Sequence, residues 1–233
     1  MSRVIEVAQG VYQLTTVGAA VTVVVDGEQV VVLDAGMRST TARVLALLEQ
    51  LGLRPEQVTH ILVTHHHPDH IGGLLGLQQA TGALVAAHPG DTAVIQGDVP
   101  FPSPFVHKPL ELAFGGLLRL MDPRPTPVEL PLTHDDVIEV AGGIRIIHTP
   151  GHTQGSLSFL FPERGLLFVG DALQRRFGRL DWPDPMYTWD MAAARRSVVA
   201  LSELDFDVLA FSHFPVVRGG GRAELQHLAA GVA

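Results

Sequence analysis

The chain has 233 residues, of which 46% are apolar and 17% charged, so we expect one globular domain with a large core rather than a disordered chain. Its formal net charge is −8 and it has no run of Lys or Arg, which argues against a nucleic-acid partner. The absence of cysteine excludes disulfides and thiolate metal sites, so nitrogen and oxygen atoms must hold any metal ion.

The N-terminus lacks an apolar signal core and no run reaches membrane-spanning length, so we expect a cytoplasmic protein without a membrane partner.

The N-terminal part of the chain predicts a hairpin and a helix. Apolar runs at 21–25 and 29–34 flank the turn Asp26-Gly27 and predict a β-hairpin. A helical pattern follows and ends at Gly52.

The next segment continues the alternation of strands and helices. We predict a strand at 61–64, a helix at 70–82 and a strand at 83–88. This β-α-β order predicts helices that pack on the faces of a sheet.

Residues 98–131 break the alternation. They are rich in proline around one apolar stretch, which predicts a long insertion that contains a short helix. Such an insertion is either a lid or binding loop, or a surface elaboration that contacts no site, and its length does not decide between the two.

The second half of the chain returns to regular elements. The patterns predict a strand at 144–148, a hairpin of strands at 156–161 and 165–171, an amphipathic helix at 190–204, a strand at 207–213 and a short helix at 223–231. No low-complexity linker divides the chain, so we expect residues 1–233 to form a single domain with its insertion at about 98–131.

Five of the apolar strands end in a histidine or an aspartate. The residues at these ends are Asp34, His65 to His70, His152, Asp171 and His213. Strand ends of α/β sheets commonly surround a site at one sheet edge, so these side chains are expected to converge. Scattered surface histidines would have no reason to recur at that position.

The histidine-rich stretch 63–70 has a spacing that suits two metal ions. His65 and His67 are two apart in an extended chain, so they project to the same side and can hold one ion. Asp69 and His70 lie further into the turn and can face a second ion. Six nitrogen and oxygen donors with one bridging carboxylate would satisfy two divalent ions. A set without thiolates suits zinc, iron or manganese.

The sequence THHHPDH fits the signature H-x-H-x-D-H, and it is accompanied in order by LDAG, TPGHTQGS, GD and SH. With these motifs the chain resembles the metallo-β-lactamase superfamily over nearly its whole length. The resemblance implies an α/β (α+β) fold, a four-layer αββα sandwich with a dinuclear site at one edge, and zinc as the first expectation for both ions. It implies two sets of ligands and a bridging carboxylate: His65, His67 and His152 for one ion, Asp69, His70 and His213 for the other, and Asp171 between them.

Other residues near the motifs receive supporting or structural roles. The resemblance implies that Asp34 orients the ligands through hydrogen bonds. His66 sits between ligands and is expected to point away from the ions. Histidines outside the motifs are expected to have surface or hydrogen-bonded roles: His60, His88, His107, His134, His148 and His227.

The resemblance implies a hydrolase that uses a metal-bridging hydroxide to attack a carbonyl, with Asp69 passing a proton to the leaving group. We expect the partner to be a small-molecule substrate: an ester, a lactone or a thioester. A lactonase could hold an acyl chain against the apolar residues 101–121. In the segment 173–190, Tyr187, Trp182 and Arg175 or Arg176 either reach the mouth of the site or pack on the surface.

Two other functions stay open at the level of the sequence. Sulfur dioxygenases of this family bind one iron and keep the same motif residues. A non-catalytic metal-binding or regulatory module is the second alternative, although the intact set of seven ligands argues against it. The sequence also leaves a homodimer open.

Overall fold

Two β-sheets packed face to face form the centre of the computed structural model, which describes residues 3–102 and 122–231. The first sheet follows chain order: Val4–Ala8 (β1), Val11–Leu14 (β2), Val21–Asp26 (β3), Gln29–Leu33 (β4), Val58–Leu62 (β5), Leu84–Ala87 (β6) and Leu130–Pro131 (β7). The second sheet, in the order β15-β14-β11-β10-β9-β8, contains Val137–Ile138 (β8), Ile144–His148 (β9), Leu157–Phe161 (β10), Leu166–Phe168 (β11), Val208–Ala210 (β14) and Val217–Arg218 (β15). A separate ribbon pairs Gln174–Arg176 (β12) with Arg179–Asp181 (β13).

α-Helices cover the outer faces of both sheets. They are Thr41–Gln50 (α1), Pro68–Ile71 (α2), Leu74–Thr81 (α3), Pro89–Ile95 (α4), Met191–Ser202 (α5) and Gly221–Ala230 (α6). Apolar residues of α1 to α4 pack on the first sheet, and those of α5 and α6 pack on the second. The layers therefore follow the order helices, sheet, sheet, helices, which confirms the predicted αββα sandwich.

The period of two along each strand explains why the central strands are apolar throughout. On β10, Phe159 and Phe161 point into the space between the sheets, whereas Leu160 points toward the outer helices. On β4, Val31 faces the other sheet and Val32 faces the helices. Successive side chains of a strand alternate between faces, and here both faces are covered, so both sets must be apolar.

The strands that precede the predicted site residues run in common directions. In the first sheet β4, β5 and β6 are parallel neighbours, and in the second sheet β11 and β14 are parallel. The carboxyl ends of parallel strands open at one sheet edge, so the loops that follow these strands are brought together there.

Both predicted hairpins are confirmed, since β3 pairs with β4 and β10 pairs with β11 in antiparallel fashion. The sequence patterns missed β1, β2 and the ribbon of β12 and β13. The short helix predicted in the insertion falls on residues 103–121, which lie outside the described residues. Within the described ranges, no helix is both long and apolar enough to span a membrane.

The single helix predicted at 70–82 is wrong, because the structure has two helices, α2 and α3, separated by Gly72 and Gly73. A Cβ on Gly72 would lie 3.0 Å from the Arg38 backbone nitrogen and 3.1 Å from the Met37 Cα atom. A Cβ on Gly73 would lie 2.6 Å from the carbonyl oxygen of Ala35. The two glycines therefore allow this turn to pack directly against the loop that follows β4, which carries Asp34.

Candidate metal centre

Three histidine rings from two loops converge at the edge of the sheets. His65 and His67 follow β5, and His152 follows β9. The His67 Nδ1 atom lies 3.1 Å from His65 Nε2 and 3.0 Å from His152 Nε2. All three side chains are buried, and one ring nitrogen of each faces the same small space.

A second group lies beside the first. It contains Asp69 and His70 of α2 and His213, which follows β14. His213 Nε2 lies 3.3 Å from both His70 Nε2 and Asp69 Oδ2. His70 is fully buried, whereas the side chains of Asp69 and His213 are 30% and 28% exposed.

Asp171, which follows β11, lies between the two groups. Its Oδ2 atom is 3.6 Å from His152 Nε2, 3.7 Å from His70 Nε2 and 3.3 Å from His213 Nε2. Its Oδ1 atom is buried and has no hydrogen-bond partner. One carboxylate therefore reaches the imidazoles of both groups and keeps an unsatisfied oxygen.

The first group of histidines fits a divalent metal ion. Zn–N bonds of about 2.0–2.1 Å at tetrahedral angles place ligand nitrogens roughly 3.3 Å apart, close to the observed separations of 3.0 and 3.1 Å. A proton on His67 Nδ1 could be shared with only one of its two neighbours, whereas an ion would satisfy all three lone pairs.

The electrostatics of the same histidines also favour a metal ion. Burial, reinforced by neighbouring imidazoles, holds the pKa values of His65 and His67 well below the ordinary value of 6.5. Burial also lowers the pKa of His152 to about 4, against the opposing charge of Asp171. The three rings are therefore neutral at pH 7, which is the form that binds metals.

In the second group, neighbouring charges affect the histidine pKa values more than burial does. Burial acts to lower the pKa values of His70 and His213, but the neighbouring carboxylates together, Asp171 foremost, outweigh it and raise both. Burial acts to raise the pKa of Asp171, but His70 and His213 hold it well below its usual range. The carboxylate thus creates a strong preference for positive charge at this position, which an ion would meet in place of protons.

Asp34 braces the centre from behind. Its Oδ1 atom accepts a hydrogen bond from the Thr64 backbone N–H at 2.8 Å, and its Oδ2 atom lies 2.8 Å from His70 Nδ1. The contact occupies Nδ1 of His70 and leaves Nε2 facing the centre. This is the contact that an orienting residue requires. The structure thus brings all eight predicted residues together, and their roles as ligands stay predictions.

Asp91, at the start of α4, is a site residue that the sequence patterns missed. Its Oδ2 atom accepts hydrogen bonds from the His66 backbone N–H at 3.0 Å and from the Thr153 hydroxyl at 2.8 Å, and its Oδ1 atom accepts one from Gly155 N–H at 2.9 Å. His66 turns away from the three converging rings and places Nδ1 3.0 Å from Asp91 Oδ2. Asp91 therefore ties the loop of His65 and His67 to the loop of His152. The signal was present in the sequence, since this aspartate also follows a strand at the site edge.

We expect Asp91→Asn to lower the free energy of unfolding by about 2–4 kcal/mol, because the amide NH₂ would face two donors in a buried position. Burial acts to raise the pKa of Asp91, but the His66 ring and the Thr153 and Gly155 donors lower it overall. A lowered pKa stabilises the fold above the unfolded value of about 3.9, and this contribution is lost as pH falls through the folded value. The difference in the free energy of unfolding between wild type and Asp91→Asn should therefore shrink below about pH 4.

Denaturant unfolding in the presence of a chelator, at pH 7 and near pH 4, measures this effect. Asp207→Asn changes an exposed aspartate and serves as the matched control. Equal stability of Asp91→Asn and the control at pH 7 would show that the bracing contacts contribute nothing.

A cavity of about 460 Å³ opens beside the centre. Its wall includes Asp69, Asp171 and His213, and Tyr187 also lines it, which is one of the two alternatives that the sequence left open. Candidate metal ligands and a residue outside the ligand set thus line one opening, which is the usual form of a small-molecule site.

For Trp182, Arg175 and Arg176 the sequence left open both the mouth of the site and packing on the surface, and none of the three lines this cavity. Trp182 packs against the outer core of the second sheet, with the Arg195 guanidinium 5.4 Å from its ring centre. Arg175 donates a hydrogen bond to the Gly178 carbonyl across the turn of the ribbon. Trp182 and Arg175 therefore have partners other than a substrate in this cavity.

Comparisons with known proteins agree with this geometry. The family model of the metallo-beta-lactamase superfamily matches residues 14–213. The uncharacterized protein YobT of Bacillus subtilis is 33% identical over 223 residues, which cover 90% of this chain and 91% of that protein. A hydroxyacylglutathione hydrolase of Cereibacter sphaeroides is 33% identical over 128 residues, which cover 54% of this chain and 38% of that protein. A crystal structure of a metallo-beta-lactamase family protein from Thermus thermophilus has a TM-score of 0.75 and 26% identity, covering 97% of this chain and 80% of that chain.

Proposed function

The chain belongs to the metallo-β-lactamase superfamily, and from this premise we propose that it is a metal-dependent hydrolase of small carboxylic esters, lactones or thioesters. The observation that carries the proposal is the position of one carboxylate oxygen. Asp171 Oδ2 lies within 3.3–3.7 Å of imidazole nitrogens from both groups of histidines. Two ion positions that share a carboxylate are typical of sites that hydrolyse polar bonds with two metals.

The candidate ligands of the centre form two sets, one for each metal ion. His65, His67 and His152 would hold one ion, and Asp69, His70 and His213 would hold the other, with zinc as the first candidate and iron or manganese as alternatives. When bound, such ions supply hydroxide at neutral pH and polarise a carbonyl oxygen. Asp171 would offset part of the charge of both ions, and Asp34 would keep the ring of His70 in place.

Asp69 is the residue that we assign to proton transfer. It combines a carboxylate, a side chain that is 30% exposed and a position on the wall of the cavity. A substrate that lies in the cavity can therefore contact Asp69 directly. The Asp69 carboxylate could take up the proton that the attacking hydroxide loses after it adds to the carbonyl carbon, and give this proton to the departing alkoxide or thiolate.

The hydroxyacylglutathione hydrolases among the relatives support the thioester class, because the compound in their name is a thioester. The alignment covers only 38% of that relative, so its whole activity is not carried over. The proposal therefore covers the type of reaction, which is hydrolysis of an ester-type bond, and a small molecule as the substrate.

We expect prolonged chelation to abolish hydrolysis of an activated ester or thioester, and zinc, manganese or iron to restore it. The expectation follows from the donor set, which holds its ligands in place but leaves the Asp171 oxygen unsatisfied without a cation. The measurement is the initial rate before chelation, after chelation and after titration with each metal, with metal content determined by elemental analysis.

Full activity of a preparation shown to be free of metal would contradict the proposal. A single tightly held iron with oxygen uptake in the presence of a persulfide, and no ester turnover, would replace it with the dioxygenase function.

A further inference from the structure

The wall of the cavity beyond the metal centre is apolar or uncharged, with one exception. Met37, Leu173 and Phe214 contribute apolar surface, and Gln174 contributes an uncharged amide. The exception is Asp184, an exposed aspartate that lines the cavity. Within residues 3–102 and 122–231, no Lys or Arg lines this cavity.

The carboxylate of Asp184 is held in place by the turn that contains it. Its Oδ1 atom accepts a hydrogen bond from the Met186 backbone N–H at 2.9 Å. Its carbonyl oxygen accepts hydrogen bonds from the Tyr187 N–H at 3.1 Å and the Thr188 hydroxyl at 2.8 Å. The negative charge is therefore a fixed part of the wall.

Asp184 belongs to none of the candidate metal-binding groups, so bound ions would not offset its charge as they would offset the charges of Asp69 and Asp171. A carboxylate of a substrate that lies on this part of the wall would meet Asp184 and no Lys or Arg of the described residues. Repulsion between two carboxylates in a partly solvated site disfavours binding by a few-fold to about tenfold.

We infer that this site selects uncharged substrates over anionic ones, and that it discriminates against thioesters of glutathione, whose two carboxylates and one ammonium group make it a net anion. The inference rests on the proposed function and narrows its substrate class. It separates this chain from the activity named for its hydroxyacylglutathione hydrolase relatives, although the metal centre has the same chemistry.

The first test compares two thioesters with one acyl group and similar alkyl thiols. S-butyryl-N-acetylcysteamine is uncharged, and S-butyryl-mercaptopropionate carries one carboxylate. We expect kcat/KM of the metal-loaded protein to be about three- to tenfold higher for the uncharged compound at low ionic strength. The ratio should fall toward one in 0.5 M salt, because salt screens partly exposed charges.

The variant Asp184→Asn tests whether the charge of Asp184 causes the discrimination against anionic substrates. The variant removes the charge but keeps the Oδ1 acceptor that the Met186 N–H needs, so the turn should be preserved. We expect the ratio of kcat/KM for the uncharged thioester to kcat/KM for the anionic thioester to fall by about threefold in this variant. Glu203→Gln makes the same change of net charge at an exposed position outside the cavity and should leave this ratio unchanged.

A binding measurement separates failure of this inference from failure of the proposed function. The amide analogues of both compounds can be titrated by calorimetry against wild type and Asp184→Asn, whether or not the protein hydrolyses thioesters. Tighter binding of the uncharged amide, lost in Asp184→Asn, supports the inference even without turnover. Equal or tighter binding of the anionic amide, or equal kcat/KM for the two thioesters at low salt, would overturn it.

Discussion

Asp171→Ala is expected to leave the protein unable to hold two metal ions and to lower turnover on an activated ester by about 10³-fold or more. The reason is the position of Asp171 Oδ2, which lies 3.3–3.7 Å from His70, His152 and His213 nitrogens. No other carboxylate of the described residues comes this close to nitrogens of both groups. Without it, two divalent ions would repel each other across a space lined mainly by neutral rings.

Asp34→Ala provides the matched comparison, because it also removes a buried carboxylate that touches His70. Asp34 contacts Nδ1 of that ring, on the side away from the centre, at 2.8 Å. Loss of such an orienting contact typically weakens metal binding by about 10–100-fold without removing a ligand. We therefore expect Asp34→Ala to regain both ions at high metal concentration, where Asp171→Ala does not.

Elemental analysis after dialysis at graded metal concentrations distinguishes the two variants, and circular dichroism checks that both are folded. Retention of two ions by Asp171→Ala, together with their loss from Asp34→Ala, would reverse the assigned roles.

The sequence was most informative where chemistry and local pattern coincide. Each of Asp34, Asp171 and His213 follows a run of apolar residues that can only be a buried strand, and parallel buried strands end at one edge. The convergence of these residues could therefore be expected before any coordinates. The αββα layers were implied by the family resemblance, and the alternating apolar faces of β4 and β10 supply their physical reason.

Asp91 was missed because its role depends on tertiary contacts. Its partner Thr153 is 62 positions away in the chain, and the hydrogen bond between them forms only when the loops after β6 and β9 meet. The local signal is that Asp91 follows the strand predicted at 83–88, and that position alone does not indicate which distant loops the carboxylate joins.

The directions of side chains also could not be predicted from the sequence. For the segment 173–190 the sequence left open whether side chains reach the site or pack on the surface, and only the fold decides that Tyr187 lines the cavity while Trp182 packs on the second sheet. The break between α2 and α3 is similar, because the close approach of Gly73 to the Ala35 carbonyl involves residues from separate elements. Patterns within one segment do not contain such distances.

Asp69→Asn is expected to lower turnover by roughly 10²–10⁴-fold on esters with poor leaving groups, which is the usual contribution of general acid–base catalysis. The substitution preserves size and one oxygen donor but removes the charge and most of the capacity for proton transfer. The neighbouring Gly18 should tolerate it, because its missing side chain leaves room for the unchanged Asp69 Cβ, which lies 2.8 Å from the position of a Gly18 Cβ. The ion held by His65, His67 and His152 should be retained.

The decisive measurement is a series of esters with one acyl group and leaving groups of graded pKa. A leaving group of low pKa departs as an anion and needs little protonation, so the penalty of Asp69→Asn should shrink along the series toward the most acidic alcohols. Asp69 also lies 3.3 Å from His213 Nε2, so the variant could act by weakening the second ion instead. That alternative predicts an equal penalty for every ester and a lower metal content, which elemental analysis detects. An equal penalty across the series with both ions retained would show that Asp69 holds the centre together but does not deliver the proton.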